Sequence, residues 1–123
     1  MKKVLIVEDE EKIRKVINIL VKSDEVSADE ASDGMEALNK IKDNDYDLVI
    51  LDLMLPLVDG MTILKDIRAD SRTATMPVIL VSAKNLNQDL LEGFQGGANY
   101  YITKPFEPKE LIDSIELILG VKY

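Results

Sequence analysis

Apolar residues in this chain follow two alternating rhythms. Val4 to Val7 and Leu48 to Leu51 are unbroken aliphatic runs, and each stops at acids: Glu8-Asp9-Glu10-Glu11 after the first and Asp52 after the second. A short, fully apolar run reads as a strand buried on both faces, as in a parallel sheet covered by helices. Between the runs the period changes. Ile13, Val16, Ile17, Leu20 and Val21 fall at i, i+3, i+4, i+7 and i+8, one face of an amphipathic helix whose acidic start suits the positive end of the helix dipole.

The alternation continues along the chain. Val26 to Ala31 has modest β propensity, with Val26, Ala28 and Glu30 on one face, and the rhythm of the chain supports it as a strand. Ser32-Asp33-Gly34 supplies cap residues for a helix with Ala37, Leu38 and Ile41 on its apolar side, broken at Lys42-Asp43-Asn44-Asp45. After Asp52, the loop Leu53 to Gly60 is punctuated by Pro56 and Gly60, and Ile63, Leu64 and Ile67 mark a third helix. Pro77 to Val81 is a fourth strand ending at Ser82, and a helix is predicted around Asn87 to Phe94, stopped by Gly96-Gly97. Tyr100-Tyr101-Ile102 is the fifth strand, running into Thr103-Lys104-Pro105. Pro108 opens a last helix with Leu111, Ile112, Ile115, Ile118 and Leu119 inward. Five strands alternating with five helices through short connections predict an α/β fold with a five-stranded parallel sheet of order 2-1-3-4-5. This is a doubly wound (βα)5, flavodoxin-like three-layer sandwich.

Composition narrows the chemistry. A chain of 123 residues is one domain, read here as 1–123. It contains no cysteine and no histidine, which excludes thiol nucleophiles, thiolate or imidazole metal sites and histidine acid–base catalysis. Acids outnumber bases 23 to 15, for a net charge of −8, which argues against a nucleic-acid surface. The N-terminal apolar run is too short for a signal peptide and no segment reaches membrane-spanning length, so a soluble, cytoplasmic protein without membrane contact is expected.

In the order 2-1-3-4-5, Glu8, Asp9 and Asp52 converge at the switch point, with Ser82 and Lys104 reaching the same edge. Two unit charges about 4 Å apart repel by roughly 4 kcal/mol at an effective dielectric near 20, and a hard divalent cation removes that cost. An oxygen-only ligand set favours Mg2+, which keeps waters and leaves positions for phosphate oxygens. Lys104 and Ser82 offer a charge and a hydroxyl suited to phosphoryl oxygens, which leaves Asp52 as a covalent acceptor or, more simply, a residue that caps the following turn.

Taken together, Glu8-Asp9, the Asp52 strand followed by Met54-Leu55-Pro56 and Asp59-Gly60, Ser82-Ala83, Gly97-Ala98 and Tyr101-Ile102-Thr103-Lys104-Pro105-Phe106 resemble the receiver domain of two-component response regulators. The match covers essentially the whole chain. The resemblance implies that Asp52 takes a phosphoryl group from a phosphohistidine on a sensor histidine kinase or histidine phosphotransfer protein. It implies that Glu8, Asp9, Asp52 and the Met54 carbonyl hold Mg2+, that Lys104 contacts the phosphoryl group, and that Lys104-Pro105 is cis. It further implies that Ser82 moves toward the phosphoryl group and Tyr101 swings inward, reshaping the surface of the fourth helix, fifth strand and fifth helix that is offered to a downstream partner or domain, with a phosphorylation-dependent homodimer as one outcome. Such a switch is not a turnover enzyme; it phosphorylates and dephosphorylates only itself. Met54 and Lys84 flank the site, where the family tunes the lifetime of the acyl phosphate. Three rivals fail on named residues. An aspartyl-phosphate phosphatase wants a second Asp where Met54 stands, a flavin-binding fold wants a phosphate cradle where Glu8 to Glu11 stand, and an EF-hand at Asp43 wants Gly where Leu48 stands. A pseudo-receiver that signals by binding alone is the alternative, and no site residue is missing to favour it.

Overall fold

The structure is a computed structural model in which residues 1–83, 92 and 96–123 are described. Its five strands are β1 (Lys2–Val7), β2 (Val26–Ala31), β3 (Leu48–Leu51), β4 (Val78–Ser82) and β5 (Tyr100–Thr103). They pair in parallel in the order β2-β1-β3-β4-β5, as the alternating rhythm predicts. The described helices are α1 (Glu11–Val21), α2 (Gly34–Asp43), α3 (Gly60–Ala69) and α4 (Pro108–Leu119). The helix expected around Asn87 to Phe94 lies outside the described residues.

Because successive strand residues point to opposite faces, each apolar run is divided between two cores. Leu5, Val7, Val49, Leu51, Val78 and Leu80 pack with Ala37 and Ile41 of α2 and with Ile63, Leu64 and Ile67 of α3. Val4, Ile6, Leu48, Ile50, Ile79, Val81 and Ile102 pack with Ile17 and Val21 of α1 and with Leu111, Ile115 and Leu119 of α4. The central strands are apolar at every position because both faces are covered. Strand β2 lies at the edge, which explains its weak apolar signal: Val26 and Ala28 face the α1 side, while Asp29 accepts a hydrogen bond from the Tyr46 hydroxyl at 2.8 Å.

One position of the α1 stripe is corrected. Val16 was expected inward but is 50% exposed. It lies about 100° round the helix from Ile17, and the buried stripe follows Ile17 and Val21 with Ile13 and Leu20 partly covered, leaving Val16 on the flank.

Local chemistry sets the element ends. Asp33 accepts from the Glu36 N–H at 2.8 Å at the start of α2, and Asp59 accepts from the Thr62 N–H at 3.0 Å at the start of α3. The loop after β3 folds back over the strand end, with the Gly60 N–H donating to the Leu53 carbonyl at 2.9 Å. A Cβ on Gly60 would lie 2.3 Å from the Asp52 carbonyl oxygen and 2.6 Å from the Leu53 Cα, both backbone atoms. Only glycine lets α3 begin so close behind Asp52. Gly60→Ala is expected to lower stability by about 1–3 kcal/mol, read as a drop in the urea midpoint at constant slope. An unchanged midpoint would mean that this contact does not constrain the loop.

Candidate functional site

Parallel register brings the strand ends level. The Asp52 N–H donates to the Val7 carbonyl at 3.0 Å, the Glu8 N–H to the Ala31 carbonyl at 3.1 Å and the Lys104 N–H to the Ser82 carbonyl at 2.8 Å. Glu8 after β1, Asp52 after β3 and Lys104 after β5 therefore emerge at one edge of the sheet. The Lys104 Nζ donates to Asp52 Oδ2 at 2.9 Å and to Glu8 Oε1, joining residues 52 and 96 positions apart in the chain. Glu8 and Asp52 are only 1% and 5% exposed, whereas Asp9 faces solvent. The remaining carboxylate oxygens are also engaged: Asp52 Oδ1 accepts from the Met54 N–H at 2.9 Å, and Glu8 Oε2 from the Glu10 N–H at 3.2 Å.

Burial pushes the Glu8 carboxyl up to about 7, opposed by the hydrogen bond from Lys104 and reinforced by the Asp52 charge. Burial alone would lower the Lys104 ammonium, but its bonds to Glu8 and Asp52 outweigh burial and hold it above its ordinary value. Lys104 is thus a fixed cation between two buried carboxylates. One oxygen each from Glu8, Asp9 and Asp52 lies within 4.8 Å of the others. Three carboxyl groups gather round one ammonium, so a cation that holds them ionised offsets their excess negative charge, and all donors are hard oxygens. The donor set fits a small divalent cation of the Mg2+ type, with exposed Asp9 leaving room for water ligands.

The other predicted residues are also placed. Ser82 is fully buried at the end of β4, opposite Thr103 in the register. Tyr101 lies opposite Leu80 and is partly buried against the α2–α3 core, while its neighbour Tyr100 is 39% exposed. The Lys104-Pro105 peptide is cis, as expected. Met54 is exposed and meets Asp52 through its N–H. Lys84 lies outside the described residues.

Sequence reasoning missed Arg14. Its Nη1 donates to the Glu8 carbonyl at 2.9 Å, and its Nε to Glu30 Oε1 at 2.8 Å. Glu30 Oε2 also accepts from Lys15 Nζ at 3.1 Å and Asn18 Nδ2 at 2.8 Å, while the Glu30 carbonyl accepts from Lys40 Nζ at 2.5 Å. The available signal was Glu30 itself, because an acid on the helix-facing side of a strand requires a cationic partner from the covering helix.

Residues 4–116 match the response regulator receiver domain. The chain belongs to this family. The receiver is 36% identical over 117 residues to the transcriptional regulatory protein ResD of Bacillus subtilis (strain 168), a match covering 95% of this chain and 48% of ResD. It thus spans about half the length of the curated relatives it matches. The receiver domain of the Francisella response regulator 1452 superposes with a TM-score of 0.89 at 34% identity, covering 98% of each chain. The receiver domain of the sensor histidine kinase PA1611 from Pseudomonas aeruginosa PAO1, solved with a magnesium ion coordinated in its active-site cleft, superposes with a TM-score of 0.87 at 29% identity, again covering 98% of each chain. No described helix of the receiver is long and apolar enough to cross a membrane.

The Glu30 cluster makes a pH prediction. Burial raises the Glu30 carboxyl, but Arg14 and then Lys15 outweigh it and leave it below its ordinary 4.5. A depressed carboxyl contributes stability that is present above its unfolded value and lost as pH falls through the folded value. Glu30→Gln should therefore lower the melting temperature at pH 7, with wild type and variant converging below about pH 4.5. A difference independent of pH would contradict the ion pairing of Glu30 with Arg14 and Lys15.

Proposed function

We propose that Asp52 is the phosphoacceptor of this receiver, taking a phosphoryl group from a phosphohistidine on a sensor histidine kinase or histidine phosphotransfer protein. The observation that carries this reading is the partly buried Lys104 ammonium, which bridges Asp52 and Glu8 at the mouth of the three-carboxylate cluster. In the transfer an Asp52 carboxylate oxygen forms a bond to phosphorus while the N–P bond of the donor breaks and its imidazole leaves with the electron pair. Lys104 then turns from the Asp52 oxygen it now holds to a phosphoryl oxygen, and Ser82 supplies a hydroxyl to another. Glu8, Asp9, Asp52 and the Met54 carbonyl would hold Mg2+, which when bound neutralises charge on the carboxylates and the phosphoryl oxygens.

The product is a state, not a released molecule, so the receiver acts as a switch that phosphorylates and dephosphorylates only itself. Tyr101, partly buried on β5 two positions before Thr103, is the residue we assign to reporting the event on the surface of β5 and α4. Residues 1–123 form the receiver unit. The naming of ResD as a transcriptional regulatory protein supports a downstream domain or partner as the recipient of the signal, and we assign that exchange to the cytoplasm.

Beside Lys104 an apolar cavity is lined by Ile13, Val16, Pro105, Phe106 and Pro108. A macromolecular donor must cover Asp52 to deliver its imidazole, and this surface, with Val16 exposed on it, adjoins the site. Val16→Asp is expected to slow transfer from a phosphohistidine protein about tenfold, with labelling by a small donor unchanged; equal effects on both donors would remove the docking role.

Incubation with acetyl phosphate and Mg2+, followed by intact mass measurement, tests the acceptor. Wild type should gain one phosphoryl group and Asp52→Asn none; labelling retained in the variant would place the acceptor elsewhere. Mg2+ alone should raise the melting temperature, by about 2.7 kcal/mol of stability at a hundredfold excess over its Kd. An unchanged melting temperature at millimolar Mg2+ would count against the metal site.

A further inference from the structure

The Glu8 peptide sits one residue beyond the last paired rung of β1, where Val7 is level with Ala31 on one side and Leu51 on the other. Its N–H still finds the Ala31 carbonyl, but its carbonyl faces no strand partner and takes its donor from Arg14, six residues on in the first turns of α1. The guanidinium is planar, and its Nε is held by Glu30 Oε1, so the direction of Nη1 is set before it meets Glu8. Both side chains are largely covered, at 13% and 19% exposure. Asn18 holds the second oxygen of Glu30 at 2.8 Å and keeps that carboxylate in one orientation, while the exposed Lys15 adds only a solvent-side charge.

Resting on the phosphoacceptor reading, we propose that Arg14 is a positioning residue. Clamped by Glu30, it fixes the Glu8 peptide and through it the carboxylate that meets Lys104 and faces the cation. Glu8 is the only carboxylate of the three that is both buried and at the start of a connection rather than in the shelter of a folded-back loop. Asp52 has its own loop constraint in Gly60, and Asp9 is exposed. Without Arg14 the Glu8 carbonyl would rotate toward solvent, and the side chain would turn with it. A group that orients a metal ligand from outside the ligand set changes metal affinity by about tenfold or more when removed.

The test compares Arg14→Gln, Arg14→Lys and Lys15→Ala in two measurements. In the metal-free protein, Arg14→Gln should move the backbone and side-chain carbonyl 13C resonances of Glu8, whereas Lys15→Ala, which removes a cation from Glu30 without touching Glu8, should leave them in place. In a Mg2+ titration followed by the Asp9 and Glu10 amide resonances, Arg14→Gln should weaken affinity about tenfold, Arg14→Lys should not restore it, and Lys15→Ala should match wild type. Glu30→Ala, which removes the acceptor of the guanidinium while retaining Arg14, gives the same direction of change if Arg14→Gln does not fold. A loss of thermal stability in Arg14→Gln with unmoved Glu8 resonances and unchanged Mg2+ affinity would make Arg14 a structural residue only and overturn the proposal. If wild type itself binds no Mg2+, the metal reading falls, and the Glu8 resonances still decide the role of Arg14.

Discussion

A lysine ammonium held between two buried carboxylates, each from a different strand, is the interaction on which this structure turns. Charges removed from water are tolerated only when paired and hydrogen-bonded, so Glu8, Asp52 and Lys104 must arrive together. Lys104 follows β5, Asp52 follows β3 and Glu8 follows β1, and these strands are not all neighbours. Only a continuous parallel register from β1 through β3 and β4 to β5 brings the three ends level. The ladder is therefore the scaffold of the site as well as the frame of the fold, and slipping one strand by a single residue would turn its side chains to the other face.

The same edge explains why several residues that look incidental are constrained. Gly60 is needed because a Cβ at the start of α3 would lie 2.3 Å from the Asp52 carbonyl oxygen, so the loop after β3 closes on Asp52 from behind. At the other end of β5, Arg68 of α3 donates to the Gly97 carbonyl at 2.7 Å and the Met76 carbonyl at 2.7 Å, tying the approaches of β4 and β5 to one guanidinium. Gly97 carries φ +94 with Arg68 packed where a Cβ would project. Tyr101 lies between this anchored entry and the site at Lys104, so β5 is held at one end and meets the site at the other.

The architecture was legible in the chain because its signals are local. Unbroken aliphatic runs marked the central strands, period-3.6 faces marked the helices, and Asp33 and Pro108 marked helix starts at the places where they occur. The convergence of Glu8, Asp9, Asp52 and Lys104 was legible because strand order alone decides which strand ends meet. Less visible was whatever depends on a side chain's azimuth or on pairing across the fold. Val16 fits the apolar spacing of α1 yet sits on its flank, since the stripe that α1 buries is narrower than its apolar face. Arg14 reads as an ordinary helix-surface residue, and its reach to Glu30 and back to the Glu8 carbonyl appears only when β2 is seen beside α1. The polar character of β2, a weakness in the linear reading, is what provides the acid that holds Arg14.

The central claim is that Asp52, and no other carboxylate of the cluster, becomes an acyl phosphate. Borohydride reduction of the protein during exposure to a phosphodonor and Mg2+ converts an aspartyl phosphate to homoserine, and peptide sequencing locates it. The account predicts homoserine at position 52 alone, and none when donor or Mg2+ is omitted. Reduction at Asp9 or Glu8 instead, or no reduced residue in a protein that carries the label, would contradict it.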